Sequence, residues 1–128
     1  MEQKNIMIID DDADDRYFFK DALAKMPHAV ECMEANGGQE AFELLRKASQ
    51  LPNYIFLDIN MPLIDGRECL KQLKSDEKLK HIPVIMYSTS FSGESIIEFH
   101  KLGASSCLYK PTDLKKLTAQ ILEAIGEQ

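Results

Sequence analysis

The sequence predicts a doubly wound α/β fold, a five-stranded parallel sheet with helices on both faces. Five short segments read as strands, and the continuous apolar runs at residues 6–9 and 54–57 suit strands buried on both sides. Between them lie segments whose apolar residues recur at three- and four-residue spacings, and the connections have lengths suited to right-handed crossovers. The 128 residues are one domain's worth, so a single domain over residues 1–128 with no output domain is expected.

The first run, Ile6-Met7-Ile8-Ile9, stops at the acidic stretch Asp10-Asp11-Asp12-Ala13-Asp14-Asp15. From Asp14 the pattern is helical, on Phe18, Phe19, Ala22, Leu23 and Met26, and Pro27 closes it. Residues 30–35 form the second strand, Asn36-Gly37-Gly38 a turn, and residues 39–48 a helix on Ala41, Phe42, Leu44 and Leu45. Strand three, Tyr54-Ile55-Phe56-Leu57, ends on Asp58, and Pro62 and Gly66 punctuate the loop beyond it. A helix over 67–75 carries Cys69, Leu70 and Leu73. After a charged connection, Ile82-Pro83 leads into strand four, Val84-Ile85-Met86-Tyr87, which ends at Ser88-Thr89-Ser90. The helix over 93–101 carries Ile96, Ile97 and Phe99, and Gly103 stops it. Strand five, residues 106–109, ends at Lys110-Pro111, with Thr112 as expected N-cap of a last helix bearing Leu114, Leu117, Ile121, Leu122 and Ile125.

Composition narrows the function. A formal net charge of −6 without a basic cluster argues against direct nucleic-acid binding, which needs cations to displace phosphate counter-ions. Cys32, Cys69 and Cys107 are odd in number and irregularly spaced, so they read as small buried hydrophobes and not as a zinc site or disulfide framework. His28, His81 and His100 lack partners at ligand spacing. No run approaches the ~18 apolar residues of a membrane span, and the first residues lack a signal-peptide core, so a cytoplasmic location without membrane attachment is expected.

In open parallel sheets the functional crevice lies at the C-terminal strand ends. Strand one delivers Asp10 and Asp11, strand three Asp58, strand four Ser88 and Thr89, and strand five Lys110; strand two delivers nothing polar of note. Asp12, Asp14 and Asp15 are assigned to the helix N-terminus, where acidic side chains cap free N–H groups and complement the dipole. Asp58 alone would read as a turn cap. Its company changes that: three converging carboxylates repel one another unless a cation neutralises them, and magnesium favours such oxygen ligands. A cation, a hydroxyl and a lysine together describe a phosphoryl-handling site, in which a carboxylate such as Asp58 can be the nucleophile.

At these residues the chain resembles the receiver domains of two-component response regulators, of the single-domain type that regulates chemotaxis. The resemblance rests on Ile8-Ile9-Asp10-Asp11, Leu57-Asp58-Ile59-Asn60-Met61-Pro62 with Asp65-Gly66, Pro83-Val84-Ile85-Met86 leading to Ser88, and Lys110-Pro111. It implies a flavodoxin-like receiver fold with strand order 2-1-3-4-5. It implies Asp58 as phosphoacceptor, Asp11 as direct magnesium ligand alongside Asp58, Asp10 holding the ion through water, and Asn60 lending its backbone carbonyl. Ser88 falls at the Ser/Thr switch position, Thr89 beside it would touch the phosphoryl group, and Lys110 would pair with Asp58 and then with that group. The implied donor is a phosphohistidine on a sensor histidine kinase or histidine phosphotransfer protein. The module would catalyse its own phosphotransfer and slow dephosphorylation, and signal through a changed surface to a downstream protein target, with homodimers one form such domains take. Asn60 and Ser90 flank the site and are expected to tune the lifetime of the acyl phosphate.

Two positions depart from the family pattern. Cys107 stands where an aromatic usually lies three residues before the lysine, so Tyr109 or Tyr87 is expected to take over part of that role. Thr112 follows Lys110-Pro111 where Phe is more frequent. Other classes remain beside this reading. A phosphatase or phosphotransferase acting on small molecules through an aspartyl phosphate would want a second Asp where Asn60 stands. A flavodoxin-like cofactor binder would place phosphate against the acidic stretch after strand one, which would repel it. A receiver-fold scaffold that is never phosphorylated is the third.

Overall fold

A computed structural model describes residues 4–126; residues 1–3, where the signal-peptide reading begins, lie outside the described residues. The strands are β1 (Lys4–Ile9), β2 (Val30–Ala35), β3 (Tyr54–Asp58), β4 (Val84–Ser88) and β5 (Ser106–Tyr109). They alternate with α1 (Ala13–Ala24), α2 (Gly38–Lys47), α3 (Gly66–Ser75), α4 (Gly93–Lys101) and α5 (Leu114–Ala124). All strand pairs are parallel, in the order β2-β1-β3-β4-β5, so the expected doubly wound flavodoxin-like topology is the one observed.

Strand alternation divides the core in two. Met7, Ile9, Ile55, Leu57, Val84 and Met86 point to one face, where Leu45, Cys69, Leu70, Leu73 and Phe99 of α2, α3 and α4 cover them. Ile6, Ile8, Phe56, Ile85, Tyr87 and Leu108 point to the other, packed on Phe19 and Leu23 of α1 and Leu117 and Ile121 of α5. Because β1, β3 and β4 are buried on both faces, their apolar runs are continuous. The two-strand reversal places β1 and β3 side by side, with Ile9 opposite Leu57, so the residues after them emerge together. Among the described residues no helix is long and apolar enough to cross a membrane.

Several element ends differ from the sequence reading for local reasons. β1 starts at Lys4, two residues early, because pairing with Val30 continues past the apolar run. α1 starts at Ala13, where Asp12 accepts hydrogen bonds from the N–H groups of Asp14 and Asp15. It ends at Ala24, before Pro27. Thr112 is not the N-cap of α5: Asp113 holds that place, its carboxylate accepting from the Lys115 N–H at 2.9 Å. α3 begins on Gly66, whose N–H donates to the Ile59 carbonyl at 2.8 Å. A Cβ at Gly66 would stand 2.5 Å from the Asp58 carbonyl oxygen, so only glycine lets the loop fold this tightly against the end of β3.

Candidate functional site

β1 and β3 end side by side and deliver two buried carboxylates. Asp10, the first residue beyond β1, is fully buried and donates its N–H to the Ala35 carbonyl at 3.0 Å. Asp58 is the last residue of β3 and 5% exposed. Asp11 follows Asp10 at the surface. One carboxylate oxygen from each of the three lies within 4.8 Å of the others, so they can share a cation.

Lys110 enters from the opposite side. Its backbone N–H donates to the Ser88 carbonyl at 2.7 Å, which extends the β4–β5 pairing one step and aims its side chain inward. The ammonium donates to Asp10 at 2.8 Å and to Asp15 at 2.9 Å, and forms a longer ion pair with Asp58 at 3.4 Å. It also lies 5.2 Å above the Tyr87 ring. Asp10 is braced from behind, since Arg16 donates to its backbone carbonyl at 2.7 Å while pairing with Glu34 at 3.3 Å. Lys20 holds the same Glu34 at 2.9 Å.

The charges are unevenly matched. Burial, then the Asp10 carboxylate, pushes Asp58 up to about 6 from 3.8, and Lys110 only partly opposes them. Burial likewise raises Asp10, against the hydrogen bond from Lys110. Burial alone would lower Lys110, but its bonds to Asp10 and Asp15 and the charge of Asp58 outweigh it and hold the ammonium above the ordinary lysine range. Asp58 thus carries more negative charge around it than one lysine relieves. That surplus, presented by hard oxygen donors, fits a divalent cation.

Of the residues expected at the site, the structure gathers Asp10, Asp11, Asp58 and Lys110 into one cluster. Ser88 ends β4, 2% exposed, its hydroxyl accepting from the Ser90 N–H at 3.4 Å. Asn60 and Thr89 sit exposed in the loops after β3 and β4. A cleft of about 390 Å³ opens at Asp11 between Asn36–Glu40 and Pro62–Ile64, so the chemistry lies at its edge.

Two sequence assignments need correction. Asp15 was placed with the capping residues, yet Asp12 does the capping and the Asp15 carboxylate turns to Lys110. Strand two does contribute a polar group, Glu34, which steadies Arg16 and Lys20. Neither was legible, because a helix N-terminus explains any acidic residue and β2 ladder pairing does not reveal which α1 cations lie over it.

Comparison with known proteins gives the family and the fold. A model of the response regulator receiver domain matches residues 6–122. The chain is 32% identical over 123 residues to chemotaxis protein CheY-3 of Vibrio cholerae, covering 94% of this chain and 92% of that one. A crystal structure of the phosphorylated cyanobacterial phytochrome response regulator RcpA superposes with a TM-score of 0.84 at 33% identity, covering 97% of this chain and 91% of that one. The Mn(2+)-bound form of response regulator Rcp1 gives 0.81 at 30% identity, covering 94% and 90%.

Proposed function

Because this chain belongs to the family of response regulator receiver domains, we propose that within two-component signalling it accepts a phosphoryl group on Asp58 and signals through the surface that this modification reshapes. One observation carries the assignment. Asp58 is a buried strand-end carboxylate with Asp10 and Asp11 on one side and the Lys110 ammonium 3.4 Å away on the other.

The donor is a phosphohistidine on a sensor histidine kinase or histidine phosphotransfer protein. An Asp58 oxygen attacks phosphorus, the P–N bond breaks, its electron pair stays on the imidazole, and an acyl phosphate remains. Magnesium is the ion that the donor set suits: Asp11, Asp58 and the Asn60 backbone carbonyl would hold it, with Asp10 acting through water, and when bound it would supply positive charge against that of the transferring phosphoryl group. Manganese occupies a relative, Rcp1, in a solved structure. Lys110 contributes a compact charge and hydrogen bonds to the incoming group. Ser88 and Thr89 carry hydroxyls on the β4–α4 side, and their movement toward the phosphoryl group shifts a two-state surface read by a downstream protein target or a second copy of the chain. Asn60 and Ser90, exposed at the rim, govern water access and so the lifetime of the acyl phosphate.

Incubation with acetyl phosphate and magnesium followed by mass spectrometry tests the assignment. Wild type gains one phosphoryl group and Asp58→Ala gains none; a modified Asp58→Ala, or an unmodified wild type, would remove Asp58 from this role.

A further inference from the structure

Phosphoryl acceptance at Asp58 leaves Asp15 without a role, although it makes one of the two short contacts to Lys110. Its carboxylate is not needed at the helix terminus, where Asp12 already accepts from the amides of Asp14 and Asp15. It also stands outside the group of carboxylates that can share a cation, which comprises Asp10, Asp11 and Asp58. Its position is fixed by its neighbour: Arg16 ties the start of α1 to the Asp10 carbonyl and to Glu34.

We propose that Asp15 is a positioning residue for Lys110, a tether that holds the ammonium on the α1 side of the site until a phosphoryl group on Asp58 draws it across. This rests on Asp58 being the phosphoacceptor. The tether is graded for release. The Lys110 side chain is 11% exposed and must keep partners, whereas that of Asp15 is 40% exposed and can exchange its half of the contact for water at small cost. Asp10 cannot take its place, because a cation on the cluster competes for the Asp10 oxygens while those of Asp15 stay available. The tether therefore opposes transfer of Lys110 to the phosphoryl group, and removing its charge strengthens that transfer.

Beryllofluoride, a mimic of the phosphoryl group, gives the test by amide NMR titration in magnesium. Asp15→Asn keeps the volume and loses the charge, and it is expected to bind the mimic about threefold to tenfold tighter, the net worth of one hydrogen bond whose acceptor is partly exposed to solvent. Asp15→Glu restores the wild-type affinity. In a Lys110→Met background, where magnesium supports the fold, the same Asp15→Asn change shifts affinity less than about twofold, as a single lost contact requires. Without metal or mimic, the Ser88 and Lys110 amide resonances of Asp15→Asn move toward their mimic-bound positions. Unchanged or weaker binding by Asp15→Asn, or an equal gain in the Lys110→Met background, overturns the tether while leaving the phosphoacceptor intact. A wild type that does not bind the mimic overturns both.

Discussion

The Lys110 ammonium lies 3.4 Å from Asp58, a looser contact than its 2.8 Å bond to Asp10, so the buried carboxylate assigned the chemistry is the one left least compensated. Its pKa of about 6 against 3.8 gives the sign of a stability effect. The folded state holds the Asp58 proton more tightly than the unfolded chain does. Stability from this group is therefore complete below about pH 4 and is lost as pH rises through about 6. Two pKa units correspond to about 3 kcal/mol at neutral pH. Asp58→Asn removes that cost, so in chelator at pH 7.5 it should melt about 10 °C higher than wild type. The gain should shrink toward zero by pH 4; a gain independent of pH would show that burial of the charge is not its source.

Lys110 is the other side of the same balance. Lys110→Met leaves Asp10 and Asp58 buried with no opposing charge at hydrogen-bonding distance, a loss of about 3 kcal/mol or more, softened where Asp58 takes up a proton. Magnesium should then stabilise the variant more than it stabilises wild type. Thermal melts with and without the ion measure the difference, and equal shifts would mean that the ion does not share these carboxylates.

Gly66 ties the loop after β3 to the end of that strand through backbone alone. A methyl group there meets the Asp58 carbonyl and the Ile59 Cα, neither of which can swing aside. Gly66→Ala should cost about 1 to 3 kcal/mol in chemical denaturation and slow acetyl phosphate labelling of Asp58 by tenfold or more. Normal labelling with reduced stability would separate the loop's fold from the site's geometry.

The fold was legible because the buried centres of β1, β3 and β4 are uninterrupted apolar residues, and Asp10, Asp11, Asp58 and Lys110 because each stands where a strand run gives way to polar residues. What could not be read was choice among chemically similar neighbours. Thr112 and Asp113 can both cap a helix, and only the backbone bend decides for Asp113. Asp113→Ala should cost about 1 kcal/mol by denaturant titration and Thr112→Ala close to nothing. The reverse order would put the helix start one residue earlier. Asp15 escaped by the same ambiguity, since side chains in one acidic run differ in direction and not in kind.

The aromatic expected to report the state of the site is the last such choice. Tyr87 is 1% exposed, with ring contacts to Phe19 at 5.7 Å and Phe56 at 6.3 Å, so it is packed into the core face and has no route to a partner. Tyr109 is half exposed, and its ring meets Phe91 edge-on at 5.1 Å and 88°. Phe91 lies in the β4–α4 loop three residues after Ser88, and contacts Phe99 of α4 as well, so movement of that loop changes the support under Tyr109 directly. Cys107, small and on the same face of β5, packs against the core, so this pair is the one expected to do the coupling. With beryllofluoride bound, amide shifts should reach Tyr109 and the exposed Ile97 in wild type. In Phe91→Ala they should fall by half or more at those positions while persisting at Ser88 and Lys110, because the aromatic contact of about 1 kcal/mol that links loop to strand is gone. Shifts at Tyr109 that survive Phe91→Ala would place the coupling in the β4–β5 backbone instead, through the Lys110 N–H and the Ser88 carbonyl.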